Sequence, residues 1–171
     1  MIFIGLQNSE KKYEKNRHNV GSIVLKFLAK ENGGEFQLDK YTNSLKFQNY
    51  YLPNTFMNLS GESVSKIVKR ENVQSKDLFV FFDDVTIPVG EYKISVGVGA
   101  SSHNGIKSII ESLGGKNDFT RVRIGVGKIL PDGKIYEPGP EKLSDFVLSN
   151  LNTVEISQIQ SLSDKILTEI S

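Results

Sequence analysis

The sequence contains two histidines, and each lies among residue types that support general-base chemistry. His18 is in the segment RHN (17–19), and His103 is in SSHNG (101–105). A carboxylate that binds one imidazole nitrogen fixes the tautomer and leaves the other nitrogen free to take a proton from water. The pair Asp83-Asp84 offers that carboxylate. These residue types predict a site in which an imidazole activates water.

Side-chain amides occur in the same set of segments. Asn8, Asn58 and Asn104 could hold a substrate carbonyl and the attacking water without adding charge. For Asn58 a structural interpretation stays open, because asparagine is a good N-cap for the helix predicted to start at Ser60. His103 also keeps an alternative, as a structural residue or a supporting partner at the head of its helix.

Other chemistries find less support in the sequence. No GxSxG segment is present for a nucleophilic serine, and no Walker A segment for a nucleotide phosphate. The chain has no cysteine, which excludes disulfides and thiolate metal sites. The histidines could bind a metal together with Asp83 or Asp84, but HxxxH spacing is missing. We therefore expect neither a metal nor a cofactor.

Hydrophobic periodicity shows which elements must position these residues. It predicts strands at Met1–Leu6, Leu78–Phe82, Tyr92–Val98 and Arg121–Val126, and a hairpin of Phe36–Leu38 with Ser44–Tyr51. It predicts helices from Val20, at Ser60–Arg70, Gly105–Leu113, Glu141–Ser149 and Val154–Ile170. On this prediction Asp83-Asp84 follows the central strand. Ligands of open α/β sheets bind at the carboxyl ends of strands, so the candidate residues could share one edge.

Helices that alternate with buried strands predict an α/β fold, with a twisted mixed β-sheet flanked by helices. The 171 residues fit one domain, residues 1–171. No apolar run reaches the ~18 residues that a membrane span requires, and no secretory signal is evident, so we expect a cytoplasmic protein. The net charge of +1 hides an asymmetry, because residues 129–171 contain three Lys/Arg and seven Asp/Glu.

Five segments resemble, in order and spacing, the signature segments of the bacterial-type peptidyl-tRNA hydrolase family. They are FIGLQNSEKKYEKNRHNVG, LPNTFMNLSG, FFDDVTIPVG, SSHNGIKSIIESLGG and FTRVRIGVGK. The resemblance extends over essentially the whole chain. It implies a monomeric, cofactor-free α/β esterase that cleaves the ester between a peptide and the 3′ end of tRNA, so that the tRNA returns to translation.

The resemblance also implies roles for individual residues. His18 would be the base that activates water, and Asp83 would orient it. Asn104 would hold the reacting carbonyl or the water. Asn8 and Asn58 would bind the peptide or the terminal adenosine.

Further implied roles concern the cleft and the RNA. Tyr13 and Phe56 would line the cleft near the ester. Lys93 and Arg123 would face the acceptor stem of the tRNA and its 5′ phosphate. Residues 91–128 support an RNA-facing side, because they contain six basic and three acidic residues.

The chain departs from the family pattern at several positions. The usual GLGNPG is GLQNSE at residues 5–10, a lysine expected before Pro53 is Leu52, and the glycine-rich run before HNG is VGASS at 98–102. The step after Asp83 is DVT at 84–86. Two alternative functions therefore stay open: a non-catalytic RNA-binding paralogue on the same fold, and a general esterase for small substrates.

Overall fold

The computed structural model describes residues 1–97 and 101–171, in which seven β-strands and six α-helices are defined. The strands are β1 (Ile2–Gly5), β2 (Gln37–Asp39), β3 (Ser44–Phe47), β4 (Tyr50–Pro53), β5 (Leu78–Pro88), β6 (Tyr92–Val96) and β7 (Thr120–Gly127). The helices are α1 (Val20–Glu31), α2 (Ser60–Glu71), α3 (Asn104–Ser112), α4 (Pro140–Val147), α5 (Thr153–Gln160) and α6 (Ser163–Ile170). Short 3-10 turns precede several of them, at Lys11–Tyr13, Arg17–Asn19, Met57–Leu59 and Ser75–Asp77.

All seven strands form one mixed sheet in the order β2-β3-β4-β1-β5-β7-β6. Its central strands are parallel, since β1 pairs with β4 and β5, and β5 pairs with β7. Antiparallel pairs flank this centre, β2-β3-β4 on one side and β6-β7 on the other. The predicted mixed α/β sheet flanked by helices is confirmed.

Helices cover both faces of this sheet. One apolar cluster joins α1, α5 and α6 to side chains such as Phe81 and Val122, and the other joins α2 and α3 to Val80 and Phe82. Parallel strands covered on both faces are apolar throughout, which is why every residue of β1 is buried. No helix in the described part of the chain combines the length and the apolar character needed to cross a membrane.

Strand β5 is longer than the sequence predicts, and this changes where the acidic pair lies. The prediction that Asp83-Asp84 follows the strand is wrong, because pairing with β7 continues through Asp83↔Ile124 and Asp84↔Gly125. A register shift then precedes the pair Pro88↔Gly127. The apolar run stops at Phe82 because the environment becomes polar, whereas the backbone ladder continues. Asp83 is thus held by a strand and not by a loop.

Three other boundaries differ from the prediction. Residues 44–51 form two strands, since a turn with Gln48 at a φ of 51° separates β3 from β4. The helix predicted over 154–170 is interrupted between α5 and α6, although Ile159, Leu162 and Ile166 keep helical spacing across the break. Strand β6 ends at Val96. The predicted strand end at residue 98 and the first three residues of the VGASS run at 98–102 lie outside the described residues.

Candidate active site

A cleft of about 820 Å³ lies where the carboxyl ends of the parallel strands meet. Because β1, β4, β5 and β7 run in the same direction, the segments that follow them share this edge. The sequence-predicted residues that line it are Asn8, His18, Phe56, Asn58, Asp83, Asn104 and Arg123. One edge of the sheet therefore brings together most of the predicted site.

A buried carboxylate joins the two histidines at the base of the cleft. The Oδ1 atom of Asp83 lies 2.8 Å from Nδ1 of His18 and 2.8 Å from Nε2 of His103. The two imidazole rings are 4.8 Å apart between centroids. His18 enters from the 3-10 turn before α1, and His103 from the residue before α3. One strand and the segments that precede two helices thus meet at one oxygen atom.

The partners of each ring determine its tautomer. Nδ1 of His103 accepts hydrogen bonds from the backbone N–H groups of Gly105 and Ile106, so its proton lies on Nε2 and is donated to Asp83. Nδ1 of His18 donates to the same carboxylate. Nε2 of His18 then has a free lone pair, and it contacts no hydrogen-bonding group among the described residues. This is the nitrogen that can take a proton from water.

Burial and charge act in opposite directions on these groups. Burial lowers the pKa of His18, but the negative charge and the hydrogen bond of Asp83 outweigh it, and the net pKa lies above the ordinary 6.5. Burial raises the pKa of Asp83, yet interactions with His103 and His18 hold it well below its usual range. Asp83 is therefore ionised throughout the physiological range, and His18 is a stronger base than a free imidazole.

His18, Asp83 and His103 could also be considered as metal ligands, since their ligand atoms lie within 4.8 Å of one another. A metal requires a deprotonated nitrogen from each histidine. Nε2 of His103 carries a proton, because Nδ1 of that ring accepts from the helix backbone. The distances of 2.8 Å are those of hydrogen bonds. The donor set therefore fits a hydrogen-bonded triad better than a metal site.

Asn8 is held in place by a residue that the sequence analysis did not select. The carboxamide of Asn19 accepts from the backbone N–H of Asn8 at 2.9 Å and donates to its carbonyl at 3.0 Å. Oδ1 of Asn8 accepts from the N–H of Met57 at 2.7 Å. Nδ2 of Asn8 has no partner among the described residues and is available to a ligand in the cleft. The segment RHN contains Asn19, but the residue type alone does not reveal that an asparagine side chain binds the backbone of another segment.

The other predicted amides and Phe56 are exposed at the rim of the cleft. Asn58 lies in the turn before α2, Asn104 is the first residue of α3, and Phe56 is 48% exposed. The N-cap interpretation of Asn58 is wrong, since Leu59 occupies the N-cap position of α2 and no side chain caps it. Asn58 is thus free to contact a ligand.

Tyr13 is not among the described residues that line the cleft. It ends the turn Lys11–Tyr13, and the ammonium of Lys12 lies 4.8 Å from the centre of its ring. The turn is followed by Asn16, whose backbone forms a bridge with Asn150 in the connection between α4 and α5. The predicted position of Tyr13 beside the ester is not found, and its role stays a prediction.

Basic side chains occupy the β6-β7 side. Lys93 is exposed and pairs across the strands with Arg123, although it does not line the cleft itself. Arg123 is half-buried, with its guanidinium 3.5 Å from the carboxylate of Asp84. Arg121, two residues earlier in the strand, is buried and also lines the cleft. Burial lowers the pKa of Arg121, and Arg123 lowers it further. Sequence analysis missed Arg121, which the two-residue period of a strand could have revealed.

The last wall of the cleft comes from the segment 140–148, to which the sequence analysis assigned no functional residue. Helix α4 and the residue after it form this wall, and we call it the α4 wall; it consists of Pro140, Leu143, Ser144, Val147 and Leu148. Apart from Ser144 the wall is apolar. The cleft therefore has an imidazole–carboxylate centre, a basic side and an apolar side.

Comparisons with known proteins agree with this geometry. The family model described as peptidyl-tRNA hydrolase matches residues 2–171. A peptidyl-tRNA hydrolase of Lawsonia intracellularis is 36% identical, covering 99% of this chain and 85% of the relative. One from Bacillus subtilis is 35% identical, over 96% and 87%. The crystal structure of a mutant peptidyl-tRNA hydrolase from Acinetobacter baumannii superimposes with a TM-score of 0.83 at 25% identity, over 99% of this chain and 85% of that one. The chain therefore belongs to the peptidyl-tRNA hydrolase family of enzymes.

Proposed function

We propose that this protein hydrolyses the ester that joins a peptide to the 3′ end of tRNA, releasing free tRNA for reuse in translation. The observation that carries the proposal is the imidazole of His18, which lines the cleft, binds Asp83 through Nδ1 and has no hydrogen-bond partner on Nε2 in the part of the chain that the structure describes. An ester needs only an activated water and a polarised carbonyl, and this site offers groups for both.

The reaction uses one water molecule. Nε2 of His18 takes a proton from the water while the oxygen attacks the ester carbonyl. The tetrahedral intermediate collapses, the bond to the ribose oxygen breaks, and His18 returns the proton to that oxygen. The products are a peptide carboxylic acid, which ionises, and a tRNA with a free 3′ end. The charge of Asp83 stabilises the imidazolium that forms during the transfer.

Side-chain amides position the substrate around this centre. The Nδ2 group of Asn8 has no partner among the described residues, and Asn104 begins α3, so both can donate to the carbonyl as negative charge develops on it. Asn58 and Phe56 are exposed at the rim and contact the peptide or the terminal adenosine.

The acceptor stem and its 5′ phosphate lie against the β6-β7 side. Lys93 and Arg123 are cross-strand neighbours, and contacts to phosphate position a nucleic acid without reading its sequence. The segment 129–171 has a net negative charge, which repels a polyanion and keeps the RNA away from the helices α4–α6. We further propose that the protein acts as a monomer of one domain in the cytoplasm, where its substrate is formed.

Hydrolysis of N-acetyl-aminoacyl-tRNA by the wild type and by His18→Ala tests the proposal, with unblocked aminoacyl-tRNA as the control substrate. We expect cleavage of the blocked substrate alone and a loss of about 10²- to 10⁴-fold in kcat for the variant. Binding of uncharged tRNA should be the same for both proteins.

Two results would contradict the proposal. If the wild type binds tRNA but does not cleave the blocked substrate, the protein is a non-catalytic RNA-binding paralogue. If cleavage is independent of the tRNA moiety and of salt, the protein is a general esterase.

A further inference from the structure

Arg17 is a buried cation that the proposed mechanism does not use. Its guanidinium donates to Oε1 of Glu155 from both Nη atoms, at 3.1 and 3.0 Å, and to the carbonyl of Val126 at 3.3 Å. The guanidinium carbon lies 5.0 Å from the centre of the Phe146 ring. Arg17 is 7% exposed, so its charge depends on these partners. One side chain thus links α4, α5 and the end of β7.

The backbone around Arg17 contacts the same region. Asn16 forms an antiparallel bridge with Asn150, in the connection between α4 and α5. The N–H of Arg17 donates to the carbonyl of Ser149 at 3.0 Å, and the carbonyl of Lys15 accepts from Leu151 at 2.9 Å. His18 is the next residue along the chain. Its turn is therefore fastened directly to the end of α4.

The second carboxylate oxygen of Glu155 also accepts a hydrogen bond. Its Oε2 atom accepts from the backbone N–H of Asn152, and Asn152 in turn caps α5. The carboxylate that holds Arg17 is thus part of a capping box at the start of a helix. The ion pair is a rigid link between the His18 turn and the helices that follow the cleft.

What this link positions is the α4 wall. Leu143, Val147 and Leu148 are apolar residues that line the cleft, and they belong to the segment 129–171, which carries an excess of acidic residues. An apolar surface within an acidic region does not suit an RNA strand. It suits the apolar side chains of the peptide, which are the uncharged part of the proposed substrate.

We propose that the Arg17–Glu155 ion pair is a positioning device that sets the distance between His18 and the α4 wall, and that this wall receives the peptide side chain next to the ester. The inference rests on the proposed function, because it requires a peptide ester in the cleft. Arg17 and Glu155 touch neither substrate nor His18's free nitrogen. They act through the placement of α4.

The test compares two substrates on Glu155→Gln, a variant that keeps the shape of the side chain and removes its charge. N-acetyl-phenylalanyl-tRNA presents a large apolar side chain to the wall, and N-acetyl-glycyl-tRNA presents none. We expect kcat/KM for the phenylalanyl substrate to fall about tenfold relative to the glycyl substrate. Both substrates are assayed on one preparation, so a loss of folded protein cancels from the ratio.

Asp39→Asn is the matched control. Asp39 forms an ion pair of 2.6 Å with Arg70 on the β2 side of the sheet, away from the cleft. This variant removes a carboxylate from an arginine in the same way, and its substrate ratio should equal that of the wild type. The double variant Arg17→Met/Glu155→Met adds a second comparison. It leaves no buried charge unpaired, so its Tm should exceed that of Glu155→Gln while the ratio stays low.

The possible results distinguish failure of the proposed hydrolase function from failure of the positioning role of the ion pair. A wild type that cleaves neither substrate overturns the proposed function. A wild type that cleaves both, with an unchanged ratio in Glu155→Gln, overturns the positioning role alone. The same follows if the ratio recovers together with Tm in the double variant, because the ion pair would then contribute only stability.

Discussion

Both imidazoles donate to the same oxygen of Asp83. A substitution can therefore remove the negative charge of residue 83 and still keep the hydrogen bonds that orient the two rings. An asparagine at position 83 also has one side-chain oxygen, which can accept both hydrogen bonds. The substitution Asp83→Asn therefore keeps the orientation and tautomer of His18 and removes the negative charge. Asp83→Ala removes the orientation as well.

We predict that Asp83→Asn shifts the acidic limb of the pH–rate profile to lower pH. His18 acts as a base only when neutral, so activity is lost as the pH falls through its pKa. In the wild type that pKa lies above 6.5, since Asp83 outweighs the effect of burial. When the charge of the carboxylate is removed, the effect of burial remains, and it lowers the pKa of His18. The maximal kcat should also fall by about 10²- to 10⁴-fold, because the imidazolium is no longer stabilised.

A pH series of kcat/KM on N-acetyl-aminoacyl-tRNA measures this, with Asp83→Ala assayed in parallel. We expect Asp83→Ala to be the weaker enzyme of the two, since it loses the orientation of both histidines. An acidic limb at the same pH in the wild type and in Asp83→Asn would show that another group titrates.

At the residue scale, the candidate catalytic side chains could be predicted from the sequence more easily than the side chains that position them. The chain has only two histidines, which makes His18 conspicuous, and the structure brings it into contact with Asp83. Asn19 and Arg17 flank His18 yet bind partners in other segments: Asn19 binds the backbone of Asn8, and Arg17 binds Glu155, 138 residues further along the chain. Such partners are set by the tertiary fold, which local spacing does not encode.

Close contact between helices positions His103 and Asn104 at the start of α3. Gly61 of α2 lies against this helix, and its N–H donates to the hydroxyl of Ser108 at 2.9 Å. A Cβ atom at position 61 would lie 2.0 Å from the carbonyl oxygen of Ser108, which is backbone and cannot rotate away. Only glycine allows α2 and α3 to approach this closely.

Gly61→Ala should therefore destabilise the protein by about 2 kcal/mol. Alanine has the better helix propensity, by about 1 kcal/mol, but the contact with a backbone oxygen outweighs it. We expect Tm to fall by roughly 5 °C, as measured by thermal unfolding followed by circular dichroism. Lys66→Ala, an exposed change in the same helix, should shift the free energy of unfolding by no more than about 0.5 kcal/mol. Equal stability of Gly61→Ala and the wild type would show that the two helices can separate without cost.

At the element scale, the fold class and most helices and strands could be predicted, whereas several ends could not. The period of apolar residues identifies α1, α2 and α3 because each has one buried face. It does not reveal the break between α5 and α6, since Ile159, Leu162 and Ile166 maintain the helical spacing across it. It also ends β5 too early, because a strand can continue pairing after its side chains become polar.

At the scale of the whole molecule, charge is divided between two segments of the chain that both contribute residues to the cleft. Residues 91–128 have six basic and three acidic residues, whereas residues 129–171 have three basic and seven acidic. Lys93 and Arg123 belong to the first region, and α4, α5 and α6 to the second. A substrate that is a polyanion at one end and a peptide at the other would be oriented by this division before any specific contact forms.

This division predicts how salt should act on RNA binding. Each phosphate contact that is lost lowers the dependence of log K on log salt by about one unit. Lys93→Ala should therefore weaken the binding of uncharged tRNA and reduce this slope by about one. Lys165→Ala, an exposed change on α6, should leave both unchanged, because we propose that the tRNA lies against the β6-β7 side and not against the acidic helices. Filter binding at several salt concentrations measures the two slopes. A slope that falls equally in both variants would mean that the tRNA covers the acidic helices as well, and the peptide could not then lie along the α4 wall.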